Sequence, residues 1–278
     1  MPYIVNYLSK GEETTEIYLV PGAFITERKG NVLSRISDNI LTPEDIRDTL
    51  IAFRSHTPFA LGPLSREGMF SFGVRDIGRF RVSYITQRGS YVVHILKTPY
   101  HIPPIHKLCP DRETVNRLEE IIRLHNSGII LFQSKNQVIV STLVYSLLQR
   151  ISENYNKVIF ILESPLSFLL KHGQSLVIQR EVGVDVESFE EGLRDTLYLN
   201  PDILYVGQRD FIPSKEIEHI LRIIESNTLV ILNLPVVGES FFKSFRDHVR
   251  VWVDVETKHN GETRLFLKDI QPQALENR

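Results

Sequence analysis

The second half of the chain alternates short apolar runs with longer amphipathic segments, and this alternation constrains the fold more than any other feature. The apolar runs are continuous, as in strands of a parallel sheet that is covered on both faces. They lie at residues 128–133, 157–162, 202–207 and 228–234. The segments between them place apolar residues at helical spacing. We therefore predict a βαβ array of the α/β class.

The first half shows a different pattern. Strand-like runs separated by turn residues lie at 15–20, 23–28, 68–74, 78–86 and 90–96. A helix is predicted over 41–53, because Thr42 can cap its start and Pro43 suits its first turn. The polar stretch 34–40, "SRISDNI", is interpreted as a loop. This half is predicted to be an antiparallel sheet with a helix on it.

Prolines mark the boundary between the two halves. The stretch 99–111 carries four of them, Pro99, Pro103, Pro104 and Pro110, and is predicted to be an extended linker. The expected domains are therefore 1–98 and 112–278. The second is expected to end in a β-hairpin over 249–270, with Asn260 and Gly261 at its turn.

The charge and cysteine content restrict the classes of function. A formal net charge of -2 gives no support for binding nucleic acid or an anionic membrane. The single cysteine, Cys109, excludes an internal disulfide and favours a reducing compartment. The sequence begins without a signal-peptide pattern and has no apolar run long enough to span a bilayer. A cytoplasmic protein is therefore expected.

Residues 128–148, "GIILFQSKNQVIVSTLVYSLL", form a predicted strand, polar turn and helix. A phosphate-binding loop occupies this position in an ATPase. Such a loop uses glycines to point backbone amides at phosphate, a lysine to neutralise charge and a hydroxyl to bind magnesium. The turn in this chain contains no glycine.

This segment and several others resemble segments of the secretion and pilus ATPases, in particular the twitching-motility retraction ATPases of the PilT type. They are "TTEIYLVPGAFITERKGNVLSRI", "FSFGVRDIGRFRVSYITQRG", "LVIQREVG", "LYLNPDILYVGQRD" and the final hairpin. The resemblance implies an α/β fold, with a PAS-like α+β N-terminal domain and a RecA-like P-loop NTPase core. The core is expected to be truncated, because the family's helical C-terminal subdomain has no counterpart after the hairpin.

The resemblance also assigns the remnant of the phosphate loop. The family's first and last loop glycines fall on Ser134 and Ile139, and a further glycine falls on Gln137. The lysine falls on Val140, which brings no charge, while the hydroxyl residue is kept as Ser141.

Other elements implied by the family are altered as well. The acidic box keeps Glu163 but has Ser164 in place of its aspartate. Gln208 stands where a catalytic glutamate is expected, and Pro235 stands where the histidine of the His box is expected. Because several independent elements are lost together, no catalytic residue, cofactor or metal is predicted, and the chain is expected to be a pseudo-ATPase.

Some basic residues align with a region of the family in which arginines extend toward the nucleotide of a neighbouring subunit. They are Arg79 and Arg81, while the family arginine of the next strand falls on Lys97. An arginine finger acts in trans and needs no phosphate loop beside it. The alternative is that these arginines are solvated charges on an edge strand.

The leading hypothesis is an inactive structural or regulatory subunit of type IV pilus or secretion machinery. It would form a homo- or hetero-oligomer with an active PilT-type ATPase and could lie at the inner-membrane pilus platform. The alternative is a low-rate ATPase that uses ATP, Mg²⁺, Lys135 and Glu163 to power retraction or secretion. A third is an adaptor for a cyclic dinucleotide or a membrane-platform protein. Zinc binding by His101, His106 and Cys109 is only weakly indicated.

Overall fold

The computed structural model describes residues 16–30, 32–57, 63–74, 77–98, 101–207, 209–235, 237, 239–257 and 263–269. The chain divides into two compact units, Met1–His101 and Ile102–Arg278. Within these described ranges, no helix is both long enough and apolar enough to cross a membrane.

Unit 1 contains an antiparallel sheet. Its strands are β1 (Glu16–Leu19), β2 (Phe24–Lys29), β3 (Val32–Ile40), β4 (Glu67–Val74), β5 (Gly78–Gln87) and β6 (Ser90–Thr98). They lie in the order β3-β2-β1-β6-β5-β4. The prediction of a loop at 34–40 is wrong, because these residues belong to β3. This strand lies at the edge of the sheet and is largely exposed, so its sequence lacks the apolar alternation of a half-buried strand.

The helix of unit 1, α1 (Pro43–Arg54), begins where the sequence predicts. The Thr42 hydroxyl accepts a hydrogen bond from the Asp45 backbone N–H, and the Asp45 carboxylate accepts one from the Thr42 backbone N–H. This capping box satisfies two amides that a helix start leaves unpaired. The apolar side of α1 is buried with one face of the sheet in a single core cluster.

Unit 2 is built around a mainly parallel sheet. Its strands are β7 (Gly128–Gln133), β8 (Val158–Glu163), β9 (Leu176–Glu181), β10 (Ile203–Val206), β11 (Leu229–Leu234), β12 (Val249–Thr257) and β13 (Thr263–Asp269). They lie in the order β13-β12-β7-β11-β10-β8-β9. Only the pair β12 and β13 is antiparallel among these strands. The turn predicted at Asn260 and Gly261 lies outside the described residues.

Helices accompany this sheet. They are α2 (Ile105–Leu108), α3 (Arg112–Leu124), α4 (Gln137–Asn154), α5 (Phe189–Leu199), α6 (Ser214–Glu225) and α7 (Glu239–Phe245). Strand residues alternate between two apolar clusters, so that Ile130 and Phe132 belong to one cluster while Ile129 and Leu131 belong to the other. This burial on both faces explains the continuous apolar strands and confirms the predicted α/β class.

The second half of the proline-rich segment packs into unit 2. Ile105 and Cys109 are buried in the same cluster as the start of α4. The Ser146 hydroxyl of α4 donates a hydrogen bond of 2.6 Å to the Pro103 carbonyl oxygen. Residues 102–109 therefore belong to the compact body of unit 2, although their prolines suggested an extended linker.

Candidate functional site

The turn between β7 and α4 is closed by its own polar side chains. The Asn136 side-chain oxygen accepts a hydrogen bond of 3.3 Å from the Ile139 backbone N–H and so caps α4. The Ser134 hydroxyl accepts one of 3.2 Å from the Asn136 backbone N–H. The resemblance aligns this turn with the phosphate loop, whose amides would face its ligand. Lys135, within the same turn, is exposed.

Val140, which the resemblance aligns with the loop lysine, lies in the apolar core. Val140 is 0 % exposed and belongs to the larger apolar cluster of unit 2. Its side chain therefore points into packed protein. Gln137, one turn earlier, has its side-chain amide nitrogen and oxygen buried without hydrogen-bond partners.

Glu163, the last residue of β8, is the centre of a buried hydrogen-bond network. Its Oε1 accepts hydrogen bonds from the hydroxyls of Ser141, at 3.0 Å, and Ser167, at 2.9 Å. Its Oε2 accepts bonds from the Tyr145 hydroxyl, at 2.9 Å, and the Ser167 backbone N–H, at 2.8 Å. Glu163 itself is 0 % exposed. The carboxyl group is thus saturated by neutral donors of the protein.

Other strands complete this network. The Tyr205 hydroxyl, on β10, lies 3.0 Å from the Ser141 hydroxyl oxygen. Asn233, on β11, donates bonds of 3.3 Å to the Ser141 hydroxyl and to the Gln137 carbonyl. We use the name Glu163 cluster for Ser141, Tyr145, Glu163, Ser167 and Tyr205. The cluster ties α4 to the carboxyl ends of β8 and β10.

Burial controls the electrostatics of the cluster. It raises the pKa of Glu163 to about 7, against the opposing effect of the hydrogen bonds from Ser167, Tyr145 and Ser141. Burial, together with the nearby Glu163 carboxyl, raises the pKa of Tyr145 and Tyr205 well above the usual value of a phenol. The tyrosines stay neutral at physiological pH, while the carboxyl titrates there.

The structure brings only some of the predicted site residues together. Ser141 and Glu163 bond directly, whereas Ser134 and Gln137 lie in and just after the turn. The Ser164 hydroxyl donates to the Val182 carbonyl, at 3.2 Å. Pro235 directly follows β11. Gln208 lies outside the described residues.

Tyr145, Tyr205 and Asn233 were missed from the sequence. Tyr145 follows Ser141 by four residues, so the two lie on the same face of a helix, and this spacing was the available signal. Tyr205 and Asn233 interrupt apolar strands with polar groups, but nothing in the sequence indicates that they meet α4.

The arginine candidates lie in unit 1. Arg79 and Arg81 are on β5, which pairs with both β4 and β6, so the assumption that they lie on an edge strand is wrong. Both side chains are partly buried, and the Arg81 Nε lies 2.7 Å from the sulfur of Met69. Lys97 is 4 % exposed, so it is buried.

The residues of unit 2 do not fit a magnesium-bound triphosphate. Val140, which the resemblance aligns with the loop lysine, is buried and uncharged. The hydroxyl of Ser141 and the carboxyl of Glu163 are satisfied by each other and by neighbouring protein groups. In the part of the chain that the structure describes, no group of three or more His, Cys, Asp or Glu side chains is arranged to hold a metal ion.

The sequence is similar to those of two type IV pilus ATPases. No family model matches the sequence. The type IV pilus ATPase PilU of Pseudomonas aeruginosa is 25 % identical over 273 residues, which is 94 % of this chain and 66 % of PilU. The type IV pilus retraction ATPase PilT of the same organism is 29 % identical over 139 residues, which is 50 % of this chain and 39 % of PilT. The chain thus spans less than two thirds of either relative.

Solved structures show the same likeness. The crystal structure of the pilus retraction motor PilT with bound ADP matches 99 % of this chain and 84 % of its own chain, with a TM-score of 0.76 at 24 % identity. This match confirms the predicted RecA-like α/β fold.

Proposed function

We propose that this PilT-like relative of the type II and type IV secretion ATPases is a catalytically inactive homologue. It serves as a structural or regulatory subunit of type IV pilus or related secretion machinery. The observation that carries this proposal is the Glu163 cluster. The resemblance aligns its Ser141 hydroxyl with the family's magnesium-binding hydroxyl and its Glu163 carboxyl with the family's acidic box, and both groups are buried and bonded to protein groups.

Loss of the lysine supports the proposal energetically. A lysine about 4 Å from a phosphate oxygen contributes on the order of 4 kcal/mol at an effective dielectric constant near 20. Removing that attraction weakens binding by roughly a thousandfold. Lys135 is exposed in the turn, and Val140 brings no replacement charge.

The proposal includes an oligomer with an intact PilT-type ATPase in the cytoplasm, at the inner-membrane platform of the pilus. PilU and PilT are both type IV pilus ATPases, which supports a role in this machinery. Arg79 and Arg81 would act in trans on nucleotide bound by the intact subunit, where an arginine can supply charge to the transition state.

Hydrolysis measurements test this proposal. The chain alone should show no turnover, and the Glu163→Gln variant should be indistinguishable from it. Mixed with an intact PilT-type ATPase, the chain should co-elute and change the turnover of the mixture. Arg79→Ala with Arg81→Ala should remove that change, while Arg47→Ala, at an exposed position of α1, should not.

Two results would contradict the proposal. Turnover by the chain alone that is lost in Glu163→Gln and Lys135→Ala would identify the low-rate ATPase instead. If the chain stays a monomer, does not co-elute with the intact ATPase and does not change its turnover, then it is not a subunit of that machinery.

A further inference from the structure

A small cleft of unit 2 lies where α2 and α3 pack against α4. It has a volume of about 330 Å³, and its buried lining residues are Ile105, Cys109 and Val115. Arg150, which also lines it, lies 13 residues after Gln137, the first residue of α4. Thirteen residues of helix span about 20 Å. The cleft is therefore separate from the turn that the resemblance aligns with the phosphate loop.

The polar side chains that line this cleft can all donate hydrogen bonds, and three of them are basic. They are His106 of α2, Arg112 and Asn116 of α3, and Arg150 of α4. No Asp or Glu is among the described residues that line the cleft. Across the residues that the structure describes, the side chains of His106 and Arg112 make no hydrogen bond or ion pair with the protein. Their donors therefore remain for a ligand.

Arg150 is oriented by a buried carboxylate. Its Nε lies 2.6 Å from the Glu119 Oε2, and the Tyr155 hydroxyl donates a hydrogen bond of 3.2 Å to the Glu119 Oε1. Within the described ranges, this is the only ion pair of Arg150. Its two terminal Nη groups therefore keep their donors for another acceptor.

The acidic residue next to Arg112 is bonded elsewhere. The Asp111 carboxylate accepts hydrogen bonds from the Thr114 hydroxyl, at 2.7 Å, and from the Thr114 backbone N–H, at 3.2 Å. These bonds lower the pKa of Asp111 below its usual value, so it stays ionised as the cap of α3. It does not occupy the Arg112 guanidinium.

We propose that this cleft binds the phosphoryl group of a small molecule through Arg112 and Arg150. A phosphoryl group has three strong acceptor oxygens and a charge of about -1.5 to -2 at neutral pH. A guanidinium can bind two such oxygens through parallel N–H bonds. The donors come from three helices, which suits a tetrahedral group better than a planar carboxylate with two oxygens. The buried apolar residues of the lining lower the local dielectric constant and strengthen the attraction.

A second cleft leaves room for the rest of a phosphate ester. It shares Ile105, His106 and Arg150 with the first cleft and has a volume of about 550 Å³. The carboxyl groups of Glu119 and Glu153 line it, so a further phosphoryl group would be repelled there. The ligand is therefore free phosphate or a phosphate monoester, and the triphosphate chain of ATP is disfavoured.

Calorimetric titration of the purified chain with inorganic phosphate and with glucose 6-phosphate tests the site. At low ionic strength, at least one of the two should bind saturably with a dissociation constant below about 10 mM. Arg112→Gln should weaken that binding by about tenfold or more, because it removes a charged donor. Arg123→Gln, on the same helix but outside both clefts, should leave the binding unchanged.

Arg112 is exposed and has no protein partner to lose, so its variant should fold like the unmodified chain, which circular dichroism checks. Tighter binding of glucose 6-phosphate would identify a monoester as the ligand, and tighter binding of inorganic phosphate would identify free phosphate; both support the site. No saturable binding of either probe would overturn it, as would equal binding by Arg112→Gln and the unmodified chain. Neither probe is a nucleotide, so the result is independent of whether the chain binds or hydrolyses ATP.

Discussion

Replacing Gly207 with alanine is expected to destabilise unit 2 by about 2–5 kcal/mol, through overpacking and broken buried hydrogen bonds. A methyl group at this position would lie 2.6 Å from the Tyr205 hydroxyl oxygen and still closer to the Glu163 carboxyl. Neither group can retreat easily, because both are fully buried and hydrogen-bonded. The glycine is therefore required by the cluster beside it.

Denaturant unfolding followed by tryptophan fluorescence measures this effect. Trp252 is the single tryptophan of the chain and lies on β12, so it reports on unit 2. Gly73→Ala, on β4 of unit 1, controls for a glycine-to-alanine change that adds no clash, because a methyl group there would meet no atom within 4 Å, and it should leave the unfolding of unit 2 unchanged. Equal unfolding midpoints for Gly207→Ala and Gly73→Ala would show that the Glu163 cluster does not constrain position 207.

The stability of unit 2 should fall as the pH rises through neutrality, and Glu163→Gln should remove most of that fall. The pKa of Glu163 is about 7 in the folded chain and about 4.3 in an unfolded chain, so the folded state binds the extra proton. Its contribution is fully present below about pH 4.3 and is lost as the pH rises through 7. The total loss is on the order of 3 kcal/mol.

Urea unfolding across this pH range gives the test. Between about pH 5 and about pH 8, the free energy of unfolding of Glu163→Gln should rise relative to that of the unmodified chain by roughly 2–3 kcal/mol. Glu153→Gln should follow the unmodified chain. Parallel pH profiles for the unmodified chain and Glu163→Gln would mean that the Glu163 carboxyl does not titrate between these values.

Much of the fold was predictable because burial leaves a direct pattern in the sequence. The continuous apolar run of β7 and the capping residues Thr42 and Asp45 each identified an element correctly. The edge strands β3 and β9 were not predicted as strands. In β9, Gln179 and Arg180 are polar because they bond to Tyr145 and Asp195, which lie outside the strand. Such partners cannot be seen from the strand itself.

The candidate site was predicted only in part for a related reason. The resemblance located Val140 and Glu163, but it could not show which protein groups surround them. Tyr205 follows Ser141 by 64 positions and Asn233 follows it by 92, and they meet only through the strand order of the sheet. A hydrogen-bond network of this kind depends on tertiary packing, so no local sequence pattern predicts it.

Calorimetric titration of the purified chain with Mg²⁺-ATP is the most direct test of the claim that the remnant site is closed to nucleotide. An intact PilT-type ATPase serves as the positive control. The chain should release no binding heat up to about 1 mM ligand, which corresponds to less than about 4 kcal/mol of binding free energy. Saturable binding with a dissociation constant of about 1 μM would mean that the turn at 134–137 accepts phosphate despite Val140, and it would contradict the account.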